Sequence, residues 1–343
     1  MSNESLLPYF HPTQVVLVDN DIDFLGNLSL QLDADLAYLL FDSTEKALHY
    51  INERETHTPN TRRFLMPEAD EHAGRASGGV PQLDAGAIAQ EMFHANRFAQ
   101  ISVAMVDYAM PQMNGLELCR RIRNPSVKKI LFTGVATESD AIEAFNSGLI
   151  DHYIRKSEHR VYEAVNRRIR ELQRAHIRGF FDSAAEVFRF GAPPFLSDHG
   201  VISLMEELRR RLSYVEYYLA AAPDGFWLVD ADARVWRLVL SDAACRAAQA
   251  AFLDTHGAQD AVREQVMNGD QILDPCVMLA GGTPSDAQGQ WVNRLRPAAR
   301  LDGSSAYRWA LFEAEAPDHG EERSVFSYNR YVDWIDTQAF SMM

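Results

Sequence analysis

The chain has 343 residues, enough for two domains at roughly 100–200 residues each. Hydrophobic residues make up 47% and charged residues 24%, which excludes a disordered chain and a fibrous repeat. The net charge is −15, and acid exceeds base in 1–156 (21 against 13) as it does in the rest of the chain, so the basic surface of a DNA-binding domain is not expected and nucleic acid is not an expected partner. No apolar run approaches the roughly 18 residues that a membrane-spanning helix needs. The segment MSNESLLPYFHP lacks the basic and apolar regions of a secretory signal, so no membrane association is expected. Three scattered cysteines, Cys119, Cys245 and Cys276, form neither a disulfide framework nor a zinc cluster, and the cytosol is the expected compartment.

Along the chain, Val15–Val18 is an unbroken β-branched run that ends in Asp19-Asn20-Asp21. A continuous apolar run suits a strand buried on both faces, as in a parallel sheet. A helical pattern (Phe24, Leu28, Leu32), a short strand (Ala37–Leu40) and a second helix (Ala47, Leu48, Ile51) follow. Residues 55–82 are polar, rich in Gly and Pro and without periodicity, and read as a long loop or insert. Asp84 is a candidate N-cap for a helix bearing Ile88, Met92 and Phe93. Ile101–Val106 is a second buried strand, ending at Asp107. It leads into the turn Met110-Pro111-Gln112-Met113-Asn114-Gly115 and a helix with Leu116, Leu118 and Ile122. Lys129–Thr133, a helix ending at Gly148, and His152–Lys156 complete an alternation of strands and helices, which implies βαβ units and a parallel sheet covered on both faces.

From Glu158 the pattern is helical: Val161, Val165, Ile169, Leu172 and His176 recur at spacings of 4, 4, 3 and 4. This is the seam of a coiled coil between two chains or of a helix packed on its own output domain, and a homodimer through this helix is expected. A second helix is expected through Leu204, Leu208, Leu212, Val215 and Leu219. Strands are expected at 225–229, 234–240, 290–295, 307–312 and 324–331, and helices at 242–253 and 258–267.

In an open α/β sheet, ligands bind beyond the carboxyl ends of the strands. The polar residues at those ends are Asp19, Asn20, Asp21, Asp107, Thr133 and Lys156. Carboxylates gathered there need a cation, and a hard divalent ion such as Mg²⁺ suits oxygen ligands. With a lysine and a hydroxyl at two further strand ends, the set suits transfer of a phosphoryl group onto one Asp, which attacks as the nucleophile while the cations neutralise the transferring oxygens.

Four motifs in order, VLVDND, VDYAMPQMNG, ILFTG and DHYIRK, each at a strand end, make residues 14–156 resemble a response-regulator receiver domain. The resemblance implies a doubly wound, five-stranded parallel sheet of the flavodoxin-like kind. It also implies that Asp107 is the phosphoacceptor, that Asp19 and Asn20 form the acidic pair, and that Mg²⁺ is the cofactor. Thr133 would be the switch hydroxyl, Lys156 the family's lysine and Tyr153 the switch aromatic. The main-chain carbonyl of Tyr108 would be a metal ligand, and a sensor histidine kinase or phosphotransfer protein the partner. Three features depart from the pattern. Asn20 stands where the family usually has a second acid, which lowers the expected Mg²⁺ affinity, with Asp21 as a partial substitute. Ser157 replaces the usual proline. The span from Asn20 to Asp107 is about twice the usual one, and an insert at 55–100 accounts for it.

The expected organisation is a receiver at 1–156 with that insert, a helical linker at 157–213 and an α+β output domain at 214–343. The output region resembles a PAS-like sensor or dimerisation fold, an orphan α+β domain being the alternative. The whole layout resembles the response regulators of α-hydroxyketone quorum-sensing circuits, which implies a homodimer. The 158–343 stretch carries no P-loop, HExxH, Gly-x-Ser-x-Gly or CxxC signature, so no enzyme is expected beyond the receiver's own phosphorylation. The alternatives for the output are a transcription factor with an atypical DNA-binding region and an enzyme or nucleotide-binding domain. Cys119 is expected to be packing, and the arginines at 167, 168, 170, 174 and 178 a solvated face. His57, His72 and His94 lack ligand spacing.

Overall fold

The buried apolar runs become one parallel sheet. In the computed structural model, which describes residues 5–53, 61–65, 82–134, 138–182, 192–279, 290–302, 307–314 and 324–339, the strands are β1 (Gln14–Val18), β2 (Tyr38–Phe41), β3 (Ile101–Asp107), β4 (Lys128–Thr133) and β5 (His152–Arg155). They lie in the order β2-β1-β3-β4-β5, each neighbouring pair parallel, which is the doubly wound order expected. β1 and β3 are buried at every position, as helices on both faces require. The helices are α1 (Ile22–Ser29), α2 (Thr44–Glu53), α3 (Gly115–Arg121), α4 (Glu138–Asn146), α5 (Val161–Asp182) and α6 (Tyr328–Ala339).

Two compact units form, and they do not follow one another along the chain. His11–Thr61, His94–Ala185 and Phe326–Met343 make the unit built on the parallel sheet. Met1–Phe10, Arg62–Phe93 and Glu186–Val325 make the other.

In the first unit, α5 follows the last strand of the sheet and packs back on it. Val165 and Ile169 are fully buried in the core with Val15, Leu17, Val103 and Ile130, and Val161 and Leu172 pack beside them. The stripe read as a possible seam between chains is therefore spent inside the chain. Arg170 differs from the solvated face expected: it is half-buried and pairs with Asp33 (2.8 Å) and Asp35. α6 is a helix where a strand was expected over 324–331. The Tyr328 hydroxyl accepts the Ala37 N–H (3.1 Å) and donates to the Asp35 carbonyl (2.8 Å), and the ring meets Phe98 at 4.9 Å. These contacts override the β propensity of its aromatics.

In the second unit, strands Tyr9–Phe10, Tyr214–Ala220, Gly225–Asp230, Val235–Ser241, Arg308–Ala314 and Ala299–Arg300 form an antiparallel sheet in that order. Tyr214–Ala220 is a strand where a helix was expected. The helix His199–Leu212 stops at Ser213, whose left-handed φ of 53° closes the last turn. Three strands therefore precede the helices Ala243–Thr255 and Asp260–Met267, rather than the helix and two strands on which the PAS-like reading rested. The segment 290–295 is a 3₁₀ turn (Gln290–Arg294) leading into a short strand, Leu295–Pro297. Of the expected insert at 55–100, residues 55–60 and 66–81 lie outside the described residues. Residues 62–65 and 82–93 belong to this unit, and 94–100 belong to the first. Asp84 caps the helix Ala85–Gln90, as expected, through the Ala87 N–H (2.9 Å), and Phe64 meets the Tyr9 ring edge-on at 5.6 Å while Tyr9 stacks on Tyr218.

Candidate functional site

The strand registers bring the expected residues to one end of the sheet. Val18 lies level with Val106, Asp107 with Phe132, and Thr133 with Arg155, so the residues that follow β1, β3, β4 and β5 converge. Asp19 is 3% exposed and Asp107 5%. Lys156 Nζ donates to Asp19 Oδ2 at 2.7 Å and to Asp107 Oδ1 at 2.8 Å. The remaining carboxylate oxygens are also used: Asp21 N–H donates to Asp19 Oδ1 (3.0 Å) and Ala109 N–H to Asp107 Oδ2 (2.9 Å). One ammonium thus serves two buried carboxylates, and the trio carries a net negative charge.

Burial raises the Asp19 carboxyl above its ordinary value, and the Lys156 and Asp21 hydrogen bonds offset part of that. Burial also works to lower the Lys156 ammonium, but its bonds to Asp107 and Asp19 outweigh it and hold the group above the usual lysine range. The aliphatic and aromatic surroundings sharpen this field: the ammonium lies 4.7 Å from the Phe24 ring centroid and 5.6 Å from that of Phe132. The Phe24 contact was not expected from the sequence; the only signal was its place on the apolar stripe of α1.

The other expected residues take distinct positions. Thr133 is buried and its hydroxyl donates to the Gly134 carbonyl at 3.0 Å. The Lys156 N–H donates to the Thr133 carbonyl at 2.9 Å, which ties the two strand ends together. Asn20 is exposed beside Asp19. Asp21 is the N-cap of α1, accepting the Phe24 N–H at 2.9 Å, so one of its oxygens already has a structural duty. The Tyr108 carbonyl accepts the Gly115 N–H at 3.1 Å, and the Tyr108 hydroxyl donates to Asp140 Oδ2 at 2.6 Å. Tyr153 on β5 is half-buried, with its ring stacked on His152 at 6.2 Å.

The turn after β3 is shaped by Gly115. A Cβ there would stand 2.3 Å from the Asp107 carbonyl oxygen, so only glycine lets the start of α3 approach so closely. Asn114 caps that helix through the Glu117 N–H at 2.9 Å.

The donors at this edge fit a hard cation. They are all oxygen: two carboxylates that share one ammonium, with the Asn20 amide beside them. Among the described residues no three His, Cys, Asp or Glu side chains form a group that could hold a metal ion. Cys119 is buried and its thiol is pushed up to about 12 by desolvation, which suits packing rather than redox chemistry. His57 and His72 lie outside the described residues.

The second unit has an open cleft of about 330 Å³ beside the turn Ala222–Asp224. Of its polar walls, Asp242 caps the helix Ala243–Thr255 through the Cys245 N–H (2.7 Å), and Gln249 Oε1 accepts the Leu273 N–H (3.0 Å), so both are occupied structurally. On the next helix, Arg263 is paired with Asp254 and Asp260.

The family model of the response regulator receiver domain matches residues 77–166. The structure of the Legionella pneumophila response regulator LqsR is 31% identical in sequence, with a TM-score of 0.73 over 98% of this chain and 98% of that one. The adenylate cyclase from Rhodopirellula baltica aligns at 20% identity over 51% of this chain and 94% of that one, with a TM-score of 0.32. A CheY-like receiver domain protein from Methanospirillum hungatei aligns at 18% identity over 49% and 98%, also with a TM-score of 0.32. No curated protein matches the chain.

Proposed function

The chain belongs to the response-regulator family, and from that premise we propose that Asp107 accepts a phosphoryl group from a sensor histidine kinase or phosphotransfer protein in the cytoplasm. The observation that carries this reading is the pair of buried carboxylates, Asp19 and Asp107, joined by Lys156 at 2.7 and 2.8 Å at the carboxyl edge of the sheet. Asp107 attacks phosphorus as the nucleophile, its Oδ–P bond forming as the bond from phosphorus to the donor's side chain breaks and the donor leaves with that electron pair. Lys156 is already within reach of the acceptor carboxylate and neutralises charge on the transferring oxygens. Asp19, Asp107 and Asn20 would hold Mg²⁺, with the Tyr108 carbonyl and the remaining oxygen of Asp21 as further candidates, and the bound ion would supply charge neutralisation at the phosphoryl group. Thr133 gives up its bond to the Gly134 carbonyl for a phosphoryl oxygen, and Tyr153 reports the change on the outer face of β5.

The output is a change of partner. Ile142 (42% exposed) and Phe145 (46%) on α4 are large apolar side chains left at the surface, and a homodimer formed through α4 and β5 covers them. The likeness to LqsR supports a place in a quorum-sensing circuit. Acetyl phosphate with Mg²⁺ should add one phosphate by intact mass, Asp107→Asn should add none, and light scattering should show a dimer after loading. A phosphate that persists on the Asn variant would reject the acceptor, and a chain monomeric in both states would reject the dimer.

A further inference from the structure

We infer that the Tyr108 hydroxyl and the Asp140 carboxylate form a latch that holds α4 in place while Asp107 is unphosphorylated and opens when it is phosphorylated. The inference rests on the reading of Asp107 as the acceptor, and makes Tyr108 a positioning residue for the switch.

Tyr108 directly follows the acceptor. Its backbone is fixed at both polar atoms, the N–H donating to the Phe132 carbonyl (3.0 Å) and the carbonyl accepting the Gly115 N–H (3.1 Å), so the side chain leaves from a rigid base. From there the hydroxyl donates to Asp140 Oδ2 at 2.6 Å, a short bond to a charged acceptor and stronger than a neutral one. Asp140 lies in the first turn of α4.

That bond matters because α4 buries little apolar surface among its described residues. There the buried side chains are Ala141 and Ala144, two methyl groups, while Ile142 and Phe145 face outward. An element with so little apolar burial sits at the low end of local stability. A single charge-assisted bond is then a large share of its tether. Phosphorylation turns the −1 carboxylate next to Tyr108 into an acyl phosphate of about −1.5 to −2, a gain of roughly one-half to one negative charge. That charge repels the Asp140 carboxylate and weakens the latch. Linkage makes the effect reciprocal: a chain that has lost the latch populates the released arrangement more often, and accepts phosphate more readily.

The test uses the full chain. Amide exchange across 138–146 is measured in unphosphorylated wild type, Tyr108→Phe, Asp140→Ala and the double variant. Each single change should speed exchange of α4 about three- to tenfold, the loss of one hydrogen bond. The double variant should go no further than either single one, because both remove the same contact. Asp140→Asn keeps an acceptor and should restore protection. Wild type loaded with acetyl phosphate and Mg²⁺ should reach the exchange of the single variants, and Tyr108→Phe should load faster by a similar factor. Additive single effects, or unchanged exchange in α4 with wild type phosphorylated normally, would overturn the latch while leaving the acceptor intact. A wild type that takes no phosphate on Asp107 would overturn the acceptor and the trigger together, and the exchange of the unphosphorylated variants tells that case apart.

Discussion

Two single positions bear on the site without touching a phosphoryl group. Gly115 lets α3 start 2.3 Å, as a Cβ would measure it, from the Asp107 carbonyl. Gly115→Ala must push apart the turn and the end of β3, at a cost on the order of 1–3 kcal/mol. Urea unfolding should show that loss, and phosphate loading should fall with it because Asp107 moves. Full stability in the alanine variant would mean that the turn opens freely. Asn20 is the second position. It is exposed beside the buried Asp19, so Asn20→Asp replaces a dipole with a charge in a partly solvated place. Mg²⁺ binding should tighten, by about tenfold at most given solvent screening. A titration that does not move would put the missing ligand elsewhere, with the second oxygen of Asp21 the first place to look. The residues of the site were legible in the sequence because each closes a buried apolar run, and a parallel sheet must bring such ends together. What was not legible is contact across the fold. Nothing in the spacing of Tyr108 and Asp140, or of Phe24 and Lys156, says that they meet, because those meetings depend on where helices pack on the sheet. Asp21 shows the opposite limit: the same residue type serves as metal ligand or helix cap, and only geometry reveals the cap.

At the scale of elements, the strand runs of the parallel sheet were readable within a residue or two, while two helix patterns misled. The spacing 4, 4, 3, 4 in α5 fits a coiled-coil seam and equally a helix lying on a sheet. Periodicity gives the apolar face of a helix without naming what covers it. Here the cover is the sheet itself, and Ile169 is fully buried in it. Ile169→Glu should therefore unfold the first unit, at a cost of about 3–5 kcal/mol for a core side chain lost and a charge buried, rather than release folded monomers. A folded monomeric variant seen by circular dichroism and light scattering would restore the seam. Similarly, the period-four pattern of 204–219 ran through a real helix end, because Tyr214–Ala220 alternates with polar residues too weakly to signal a strand. α5 also carries a titratable group. His176 donates from Nδ1 to the Ser126 carbonyl at 2.7 Å and lies edge-on to Phe180. Burial, with Lys128 adding to it, holds the imidazole down at about 4. Because that value is below the unfolded one, the contribution to stability is complete above about pH 6.5 and is lost as pH falls toward 4, about 3 kcal/mol in all. Unfolding midpoints in urea should fall over that window, and His176→Gln should flatten the fall. An unchanged slope would assign it to other groups.

The whole molecule is organised by the way its chain crosses between two units, five times, after residues 10, 61, 93, 185 and 325. Neither unit is a single contiguous piece of sequence. The linear plan of receiver, linker and output was a natural reading of composition, since the motifs stop at Lys156 and the loop-like stretch begins near 55. A terminal segment that completes a distant sheet leaves no such mark, because its few apolar residues fit any surface. α6 is the sharpest case. Its Tyr328 hydroxyl satisfies the Ala37 N–H and the Asp35 carbonyl on the way into the edge strand β2, its rings cover Phe98, and the Phe326 carbonyl accepts from the buried Arg97 at 2.8 Å. Ending the chain after Val325 removes all of these at once. Two backbone groups and one guanidinium lose partners, and Phe98 loses the rings of Tyr328 and Tyr331. The first unit should lose about 3–5 kcal/mol, and the amides of 37–41 should lose exchange protection, while the strands of 214–241 keep theirs. Tyr328→Phe separates the two contributions. It keeps the ring and removes the hydroxyl, so it should cost about 1–3 kcal/mol and expose chiefly the Ala37 amide. If the shortened chain protects β2 as well as the full one, α6 is an incidental attachment. If β2 opens in the shortened chain but not in Tyr328→Phe, the cover comes from the aromatic rings and not from the hydroxyl that bridges Asp35 and Ala37.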